Sequence, residues 1–314
     1  MKSGVLMLDK PKGITSYKVV ERVKRCLKVK KAGHTGTLDP MATGLVVVCI
    51  GKATKIARFL TEADKVYQGR ITLGVETDTF DMDGKVVSTA KVPASLTLED
   101  IQHAADRFTG TIYQVPPPYS AAKHKGVPLY KLARRGVSVR KEPKKVCIHR
   151  FQITNYDPPH FEFQVHCSKG TYIRSLAKDI GREIGCGATL SGLRRLRSGL
   201  LSVEKAIPFQ CVRDMDVGRI RENIMPVELV LSHIPSIIVD ARDALYIQQG
   251  RGMRLSRVFD YMNEQISGLQ SVRSDYLRVM AEDKERKLRL ICIAKWPDFA
   301  KEVKLEILRV WSPN

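Results

Sequence analysis

The chain has 314 residues, 43% of them hydrophobic, and carries 53 Lys and Arg against 33 Asp and Glu, a net charge of +20. That length supports one large domain and a smaller one, each burying its own core, and the composition excludes a disordered chain. The positive balance points to a polyanionic partner; because the basic residues are spread through patterned segments, such as Lys24, Arg25, Lys28, Lys30 and Lys31, a folded phosphate-tracking surface is expected.

A short apolar strand over Val5 to Leu8 opens the chain, and Lys10-Pro11-Lys12-Gly13 reads as a turn. Ser16 is placed to cap a helix whose apolar face is Val19, Val20, Val23 and Leu27. The loop Lys31-Ala32-Gly33-His34-Thr35-Gly36-Thr37-Leu38-Asp39-Pro40 follows, and Gly44 leads into a buried strand over Leu45 to Ile50. Pro40 biases Asp39 away from the α region, so this carboxylate belongs on extended or turning backbone. Residues 65 to 74 and 145 to 167 are rich in β-branched and aromatic residues and read as sheet, whereas Leu98 to Phe108 has helical spacing. From Thr171 to Ile184 the residues Ile173, Leu176, Ala177, Ile180 and Ile184 line one helical face, Gly185 and Gly187 close it, and Arg174 projects from its first turns. The pattern breaks near Pro226 to Pro235; apolar runs at Ile237 to Val239, Leu288 to Ile293 and Val303 to Val310 suggest a small β-rich C-terminal domain. The expected class is α+β.

Several signals fail on inspection. Gly44 to Lys52 has six residues between its glycines and Ala53 after the Lys, so it is no phosphate-binding P-loop. Asp78 to Gly84 has Thr79 at the first ligand position of a calcium loop and Ala90 where the bidentate Glu belongs; it reads as a solvated acidic turn. His103, His124, His149, His160, His166 and His233 show no metal-ligand spacing and are read as structural. The seven cysteines are scattered and never form C-x-x-C, which argues against a disulfide framework or a zinc site and fits a reducing cytoplasm. No metal is expected. The N-terminus turns charged too soon for a signal peptide and no apolar run is long enough to cross a bilayer, so a soluble cytoplasmic protein without a membrane partner is expected.

Asp39 stands out by its company. Gly33 and Gly36 permit close backbone approach, His34 offers a flat polar ring, and Thr35 and Thr37 offer hydroxyls. By composition alone, a Gly-rich turn with an Asx hydrogen bond would explain the stretch equally well.

The run Gly33-His34-Thr35-Gly36-Thr37-Leu38-Asp39-Pro40 resembles the signature of the TruB family of tRNA pseudouridine synthases, whose catalytic Asp matches Asp39. The resemblance continues in register through Lys10-Pro11-Lys12-Gly13-Ile14-Thr15-Ser16, Lys65-Val66-Tyr67, Thr77-Asp78-Thr79-Phe80-Asp81-Met82-Asp83-Gly84, Pro116-Pro117-Pro118-Tyr119-Ser120-Ala121 with Lys123, and Gly170-Thr171-Tyr172-Ile173-Arg174-Ser175-Leu176. It covers most of residues 4 to 200. Gly33-His34-Thr35 is more similar to the bacterial stand-alone branch than to the guide-RNA-dependent relatives.

What the resemblance implies is a pseudouridine synthase fold over residues 1–232, with a mixed, mostly antiparallel central sheet flanked by helices and an RNA-gripping insertion at about 116–145. A PUA-like RNA-binding domain would occupy residues 233–314. The implied reaction converts the TΨC-loop uridine, tRNA position 55, to pseudouridine after the base is flipped out. Asp39 would act at the sugar carbon, either attacking C1′ or first taking the C2′ proton. Arg174 would be its partner cation, and Tyr67 would stack on the uracil and help remove the C5 proton. Tyr172 would line the pocket, Leu193 would pack against the base, and His34 would occupy the opened T-loop. Tyr119, Lys123 and Lys12 complete the implied substrate contacts. The partner would be tRNA, held by its T stem-loop and, through the C-terminal domain, its acceptor side; the protein would be a monomer. An isomerisation with no net redox change needs no cofactor. Two competing readings keep the RNA: a non-catalytic RNA-binding or tRNA-folding module, and the same chemistry on another RNA such as ribosomal RNA.

Overall fold

Ten strands of the chain join in one mixed sheet. Across it run, in order, Ile207–Pro208, Gly4–Lys10, Thr43–Ile50, Ala188–Ser198, Lys65–Leu73, His160–Cys167, Lys144–Asp157 and Gly110–Gln114, with Ala32–His34 and Leu201–Ser202 attached at its side. The last five of the main path pair antiparallel, whereas Ala188–Ser198 runs parallel to Thr43–Ile50 and Gly4–Lys10 parallel to Ile207–Pro208. The computed structural model describes residues 3–120, 122–124, 126–133, 135–137, 139, 142–266, 274–298 and 303–311. The chain divides into two compact units, the larger comprising Leu6–Val48 and Ala57–Asn223, the smaller Met1–Val5, Cys49–Ile56 and Ile224–Asn314. The change of unit at Ile224 falls upstream of the boundary expected at residue 233.

Hydrophobic patterning explains the layering of the larger unit. The continuous apolar run from Leu45 to Ile50 is buried on both faces, as a central strand must be. The helix Ile173–Ile184 packs on the strand Ala188–Ser198, and Leu98–Asp106 packs on Lys144–Asp157. The latter helix opens with a capping box between Thr97 and Asp100. In the first helix, Ser16–Leu27, Val19, Val20, Val23 and Leu27 are buried as expected, but the cap is Thr15, not Ser16. Thr15 has the extended backbone that an N-cap requires, and its hydroxyl accepts from the Lys18 N–H at 3.1 Å. Ser16, one residue further, is buried and free to serve another segment.

Gly44 is needed where it stands. Its φ is +98°, and a Cβ there would lie 2.3 Å from the Arg195 carbonyl oxygen across the parallel pair.

The segment Asp78–Gly84 is only partly solvated, with Met82 and Asp83 exposed and Asp81 buried. Val75–Thr77 pairs with Val86–Thr89, and the turn between them docks on the strand Ala188–Ser198 through Met82 N–H to Leu190 C=O at 3.1 Å and Leu190 N–H to Phe80 C=O at 3.1 Å. That docking carries Asp81 inward until it is 5% exposed. Further on, Lys123–His124 pairs with Val127–Pro128 and precedes the short helix Leu129–Ala133, within the expected insertion.

The smaller unit carries a four-stranded sheet in the order Ser236–Ile238, Tyr276–Glu282, Leu288–Lys295, Ile307–Val310. Helices Ala241–Gln248 and Leu255–Gln265, which were not apparent from the sequence, help close its core of Ile237, Ile247, Val258, Met262, Leu277, Val279 and Cys292. The strand expected from Val303 begins at Ile307. Among the described residues no helix is long and apolar enough to cross a membrane.

Candidate active site

The loop that carries Asp39 is fastened on three sides. Ser16 Oγ donates to the Leu38 carbonyl at 3.1 Å and accepts from the Leu38 N–H at 2.8 Å, a buried two-way clamp on the residue before Asp39. Pro40 C=O accepts from Gly13 N–H at 2.8 Å, so the turn after the first strand lies against the loop, and Thr35 N–H donates to Val47 C=O at 3.1 Å. Asp39 itself closes a tight turn by accepting the Ala42 N–H on its carbonyl at 3.1 Å. Its side chain stays 31% exposed, open to solvent and to a ligand.

Arg174 meets it from the opposite side. Its Nε lies 2.9 Å from Asp39 Oδ2, and its Nη2 donates to Oδ1 at 3.1 Å, a bidentate fork that fixes the plane of the carboxylate. The same guanidinium donates to the Thr79 carbonyl at 3.1 Å and the Tyr119 carbonyl at 2.8 Å, and faces Asp81 Oδ2 at 3.5 Å. Each nitrogen of this planar cation is therefore engaged. As a charge on an amphipathic helix Arg174 could have faced water; it is instead buried, because the helix start is pinned inward. Gln114 brackets Tyr172 through both its backbone groups, at 2.7 and 3.0 Å, and Ser175 Oγ donates to Val115 C=O at 2.8 Å.

Asp81 is the second carboxylate on this cation. Burial pushes its carboxyl above the ordinary range, against the hydrogen bond from Thr79 Oγ1 at 2.6 Å and the pull of Arg174.

Beneath the loop lie two further cations. Lys10, fully buried, donates from Nζ to the carbonyls of Pro11 at 3.0 Å, Ile14 at 2.8 Å and Pro40 at 3.3 Å. Desolvation lowers its ammonium to about 8, with the nearby Asp39 opposing that fall and Arg195 adding to it. Arg195 is also buried; its Nε donates to Leu45 C=O at 2.7 Å and its Nη2 to Gly36 C=O at 3.1 Å. A Cβ on Gly36 would stand 3.2 Å from Arg195 Nη1, which gives that glycine its reason; one on Gly33 would meet nothing within 4 Å.

Tyr67 pairs across the sheet with Arg195, and Leu193 with Gly69, so Tyr67, Leu193 and Arg195 share one face. Burial pushes the Tyr67 phenol upward and the Arg195 guanidinium pulls it back. His34 sits on the same cation: burial first, then Arg195, lowers its imidazole below the ordinary range, favouring the neutral ring. Burial likewise raises the Tyr172 phenol, opposed by the nearby Ser120 hydroxyl and by Arg174.

The structure thus brings Asp39, Arg174, Tyr67, Tyr172 and His34 into one electrostatic neighbourhood. Tyr119 enters it through its carbonyl oxygen. Leu193 stands two residues from Arg195 on the shared face and is 9% exposed. Lys12 is exposed in the turn that Gly13 ties to Pro40, and the side chain of Lys123 lies outside the described residues. Lys10, Ser16, Asp81, Gln114 and Arg195 were missed as members of the site. Lys10 read as part of a turn and Asp81 as solvated. The one signal available was that Lys10, Ser16 and Asp81 lie in the motifs that carry the resemblance and Gln114 stands two residues before one of them.

The profile described as TruB family pseudouridylate synthase (N terminal domain) matches residues 24–173, and that described as tRNA pseudouridylate synthase B C-terminal domain matches residues 174–232. The chain is similar to the tRNA pseudouridine synthase B of Chromohalobacter salexigens, 45% identical over 248 residues that cover 79% of this chain and 80% of that protein. It is also similar to the protein of that name from Coxiella burnetii, 40% identical over 283 residues, 87% of this chain and 91% of the other. Among solved structures, a Cbf5-Nop10-Gar1 complex contains a chain that superposes with a TM-score of 0.72 at 26% identity, covering 99% of this chain and 85% of that one.

Proposed function

From the premise that the chain belongs to the TruB family of pseudouridylate synthases, we propose that it isomerises the TΨC-loop uridine of tRNA, position 55, to pseudouridine. The observation that carries the mechanism is the bidentate Asp39–Arg174 pair, a carboxylate held in a fixed plane yet open on one side.

Breaking the bond between N1 and C1′ leaves positive character on the sugar, and a carboxylate is suited to meet it. Asp39 does so as a nucleophile on C1′ or as the base that takes the C2′ proton to give a glycal; one carboxylate position serves either route. Arg174 acts as a positioning residue: it aims the carboxylate and, being itself anchored on two carbonyls and Asp81, cannot follow it. The freed uracil turns until C5 faces C1′; religation through C5 displaces the Asp39 carboxylate from C1′, or returns the proton to C2′ of the glycal, and the C5 proton is then lost while N1 gains one. Tyr67 stacks on the base. Its raised phenol is protonated at neutral pH, so acceptance of the C5 proton requires prior ionisation, which the adjacent Arg195 favours. Tyr172 and Leu193 form the walls of the base pocket and neutral His34 fills the space from which the nucleotide leaves.

The net charge of +20 supplies the polyanion-binding surface, with Lys12, Lys123 and the side chain of Tyr119 contacting the T stem-loop. The smaller unit is proposed as a PUA-like module that holds the acceptor side. The expected active species is a cytoplasmic monomer.

Incubating the protein with separate tRNA and ribosomal RNA transcripts and mapping pseudouridine tests the assignment. Product at position 55 alone supports it, and product only in ribosomal RNA would replace it. Asp39→Asn should abolish product while leaving tRNA affinity largely intact; turnover retained in that variant refutes the role given to Asp39, whereas a wild-type protein that binds tRNA and yields no pseudouridine favours a non-catalytic RNA-folding module.

A further inference from the structure

Away from the site just described, the sheet assembles a cluster that no sequence spacing shows. His149 Nε2 lies 3.1 Å and His166 Nε2 3.8 Å from Asp64 Oδ2, and the three ligand atoms all fall within 4.8 Å of one another. The two imidazole rings stand 4.7 Å apart between centroids, tilted by 45°. They are separated by 17 positions along the chain and Asp64 by many more, which is why the histidines read as unrelated in the sequence.

The geometry points to a divalent transition-metal site of the Zn2+ class, with Asp64, His149 and His166 as the protein ligands and water completing the coordination; we propose it as such. Imidazole and carboxylate are the ligand types that zinc takes, and at metal–ligand distances of about 2.0–2.1 Å a tetrahedral site sets its ligand atoms about 3.3 Å apart. The distances of 3.1 and 3.8 Å bracket that value, so small side-chain rotations bring all three onto one ion.

Three features mark the cluster as built. First, His149 stands at a β-bulge: Ile148 pairs with Cys167 and Arg150 with His166, so His149 is the extra residue and the bulge turns its ring toward His166. Second, the other ring nitrogen of His149 is occupied, Nδ1 lying 3.7 Å from Cys147 Sγ, which leaves Nε2 as the atom aimed at Asp64. Asp64 is itself anchored, its carbonyl accepting from Gly199 N–H at 2.8 Å. Third, the neighbouring cations are engaged elsewhere. Lys65 Nζ donates to the carbonyls of Thr61 and Ala63, Lys169 pairs with Glu62 at 3.5 Å, and Arg150 donates to Gln152 at 2.7 Å. The three side chains are 38–45% exposed, so an ion reaches them directly from solvent.

Such an ion would clip the hairpin of Lys144–Asp157 and His160–Cys167 to the residue preceding the strand Lys65–Leu73, three positions before Tyr67. His166 pairs with Val66, on the sheet face opposite Tyr67, so the clip stiffens that strand from behind without entering the base pocket.

The test uses the full chain after treatment with a chelator. Titration with Co2+, followed by visible absorption, and with Zn2+, followed by calorimetry, should each show one equivalent bound, and saturating Zn2+ should raise the Tm. His149→Ala and His166→Ala should each weaken binding by more than about tenfold and lose the Zn2+-dependent rise in Tm, while their metal-free Tm stays at the wild-type value because both rings are exposed. Cys147→Ser should bind as wild type does. Absence of stoichiometric binding to the wild type, or binding unchanged in both histidine variants, would overturn the proposal and leave the cluster as a histidine–carboxylate ion pair.

Discussion

Replacing Arg174 by Lys keeps the charge and removes the fork. The guanidinium donates to Asp39 Oδ1 at 3.1 Å, holds Oδ2 in an ion pair 2.9 Å from Nε, and donates to the carbonyls of Thr79 and Tyr119, at 3.1 and 2.8 Å. A single ammonium with three hydrogens cannot span that arc, so at least two of these charge-assisted bonds are lost, each worth about 1.5–3 kcal/mol. Asp39 is 31% exposed, and water replaces part of what it loses, leaving about 2–4 kcal/mol. All of these contacts are internal to the protein, so the loss falls on alignment of Asp39 and not on RNA affinity. At about 1.4 kcal/mol per decade, kcat drops roughly 30- to 1000-fold while KM changes little. Single-turnover release of tritium from C5-labelled uridine in a T-arm transcript measures it, with circular dichroism confirming the fold. A folded variant whose kcat stays within about threefold of wild type would refute the positioning argument.

Ser16→Ala strands the buried N–H and carbonyl of Leu38 and should lower stability by about 1–3 kcal/mol, read by urea unfolding, with a fall in kcat as the Asp39 loop loosens. Gly44→Ala forces a Cβ against the Arg195 carbonyl at a φ of +98° and should lower stability by more than about 1 kcal/mol in the same assay. Lys10, lowered to about 8, loses its charge as pH rises through that value, so the Asp39 loop loses its underlying cation and kcat should fall on the alkaline side. A pH–rate profile checks this, and Lys10→Met should have a lower rate without that limb. Over the same range the protein should gain stability: Lys10 and Lys65 both titrate near 8 when folded and 10.5 when unfolded, so the unfolded chain holds the additional protons between those values and stability rises with pH across them. A Tm that rises while kcat falls separates titration of the site from unfolding.

The sequence by itself determined whatever depends on neighbours along the chain. The apolar periodicity of Val19, Val20, Val23 and Leu27 and of Ile173, Leu176, Ala177 and Ile180 sets two helices, and the unbroken run from Leu45 to Ile50 sets a strand buried on both faces. The spacing of motifs around Asp39, Tyr67 and Arg174 marked residues of one family. Tertiary structure alone decided what depends on register and docking. Lys10 is a site cation because the strand that ends on it runs beneath the Asp39 loop, and Arg195 meets Tyr67 because two antiparallel strands align at those positions. Asp81 is buried because its turn hydrogen-bonds to Leu190, more than a hundred residues away. Asp64, His149 and His166 converge only through a bulge in a sheet. A strand's pattern states which of its faces is apolar; which residue stands opposite is fixed by pairing between distant segments, and no local sequence pattern encodes it.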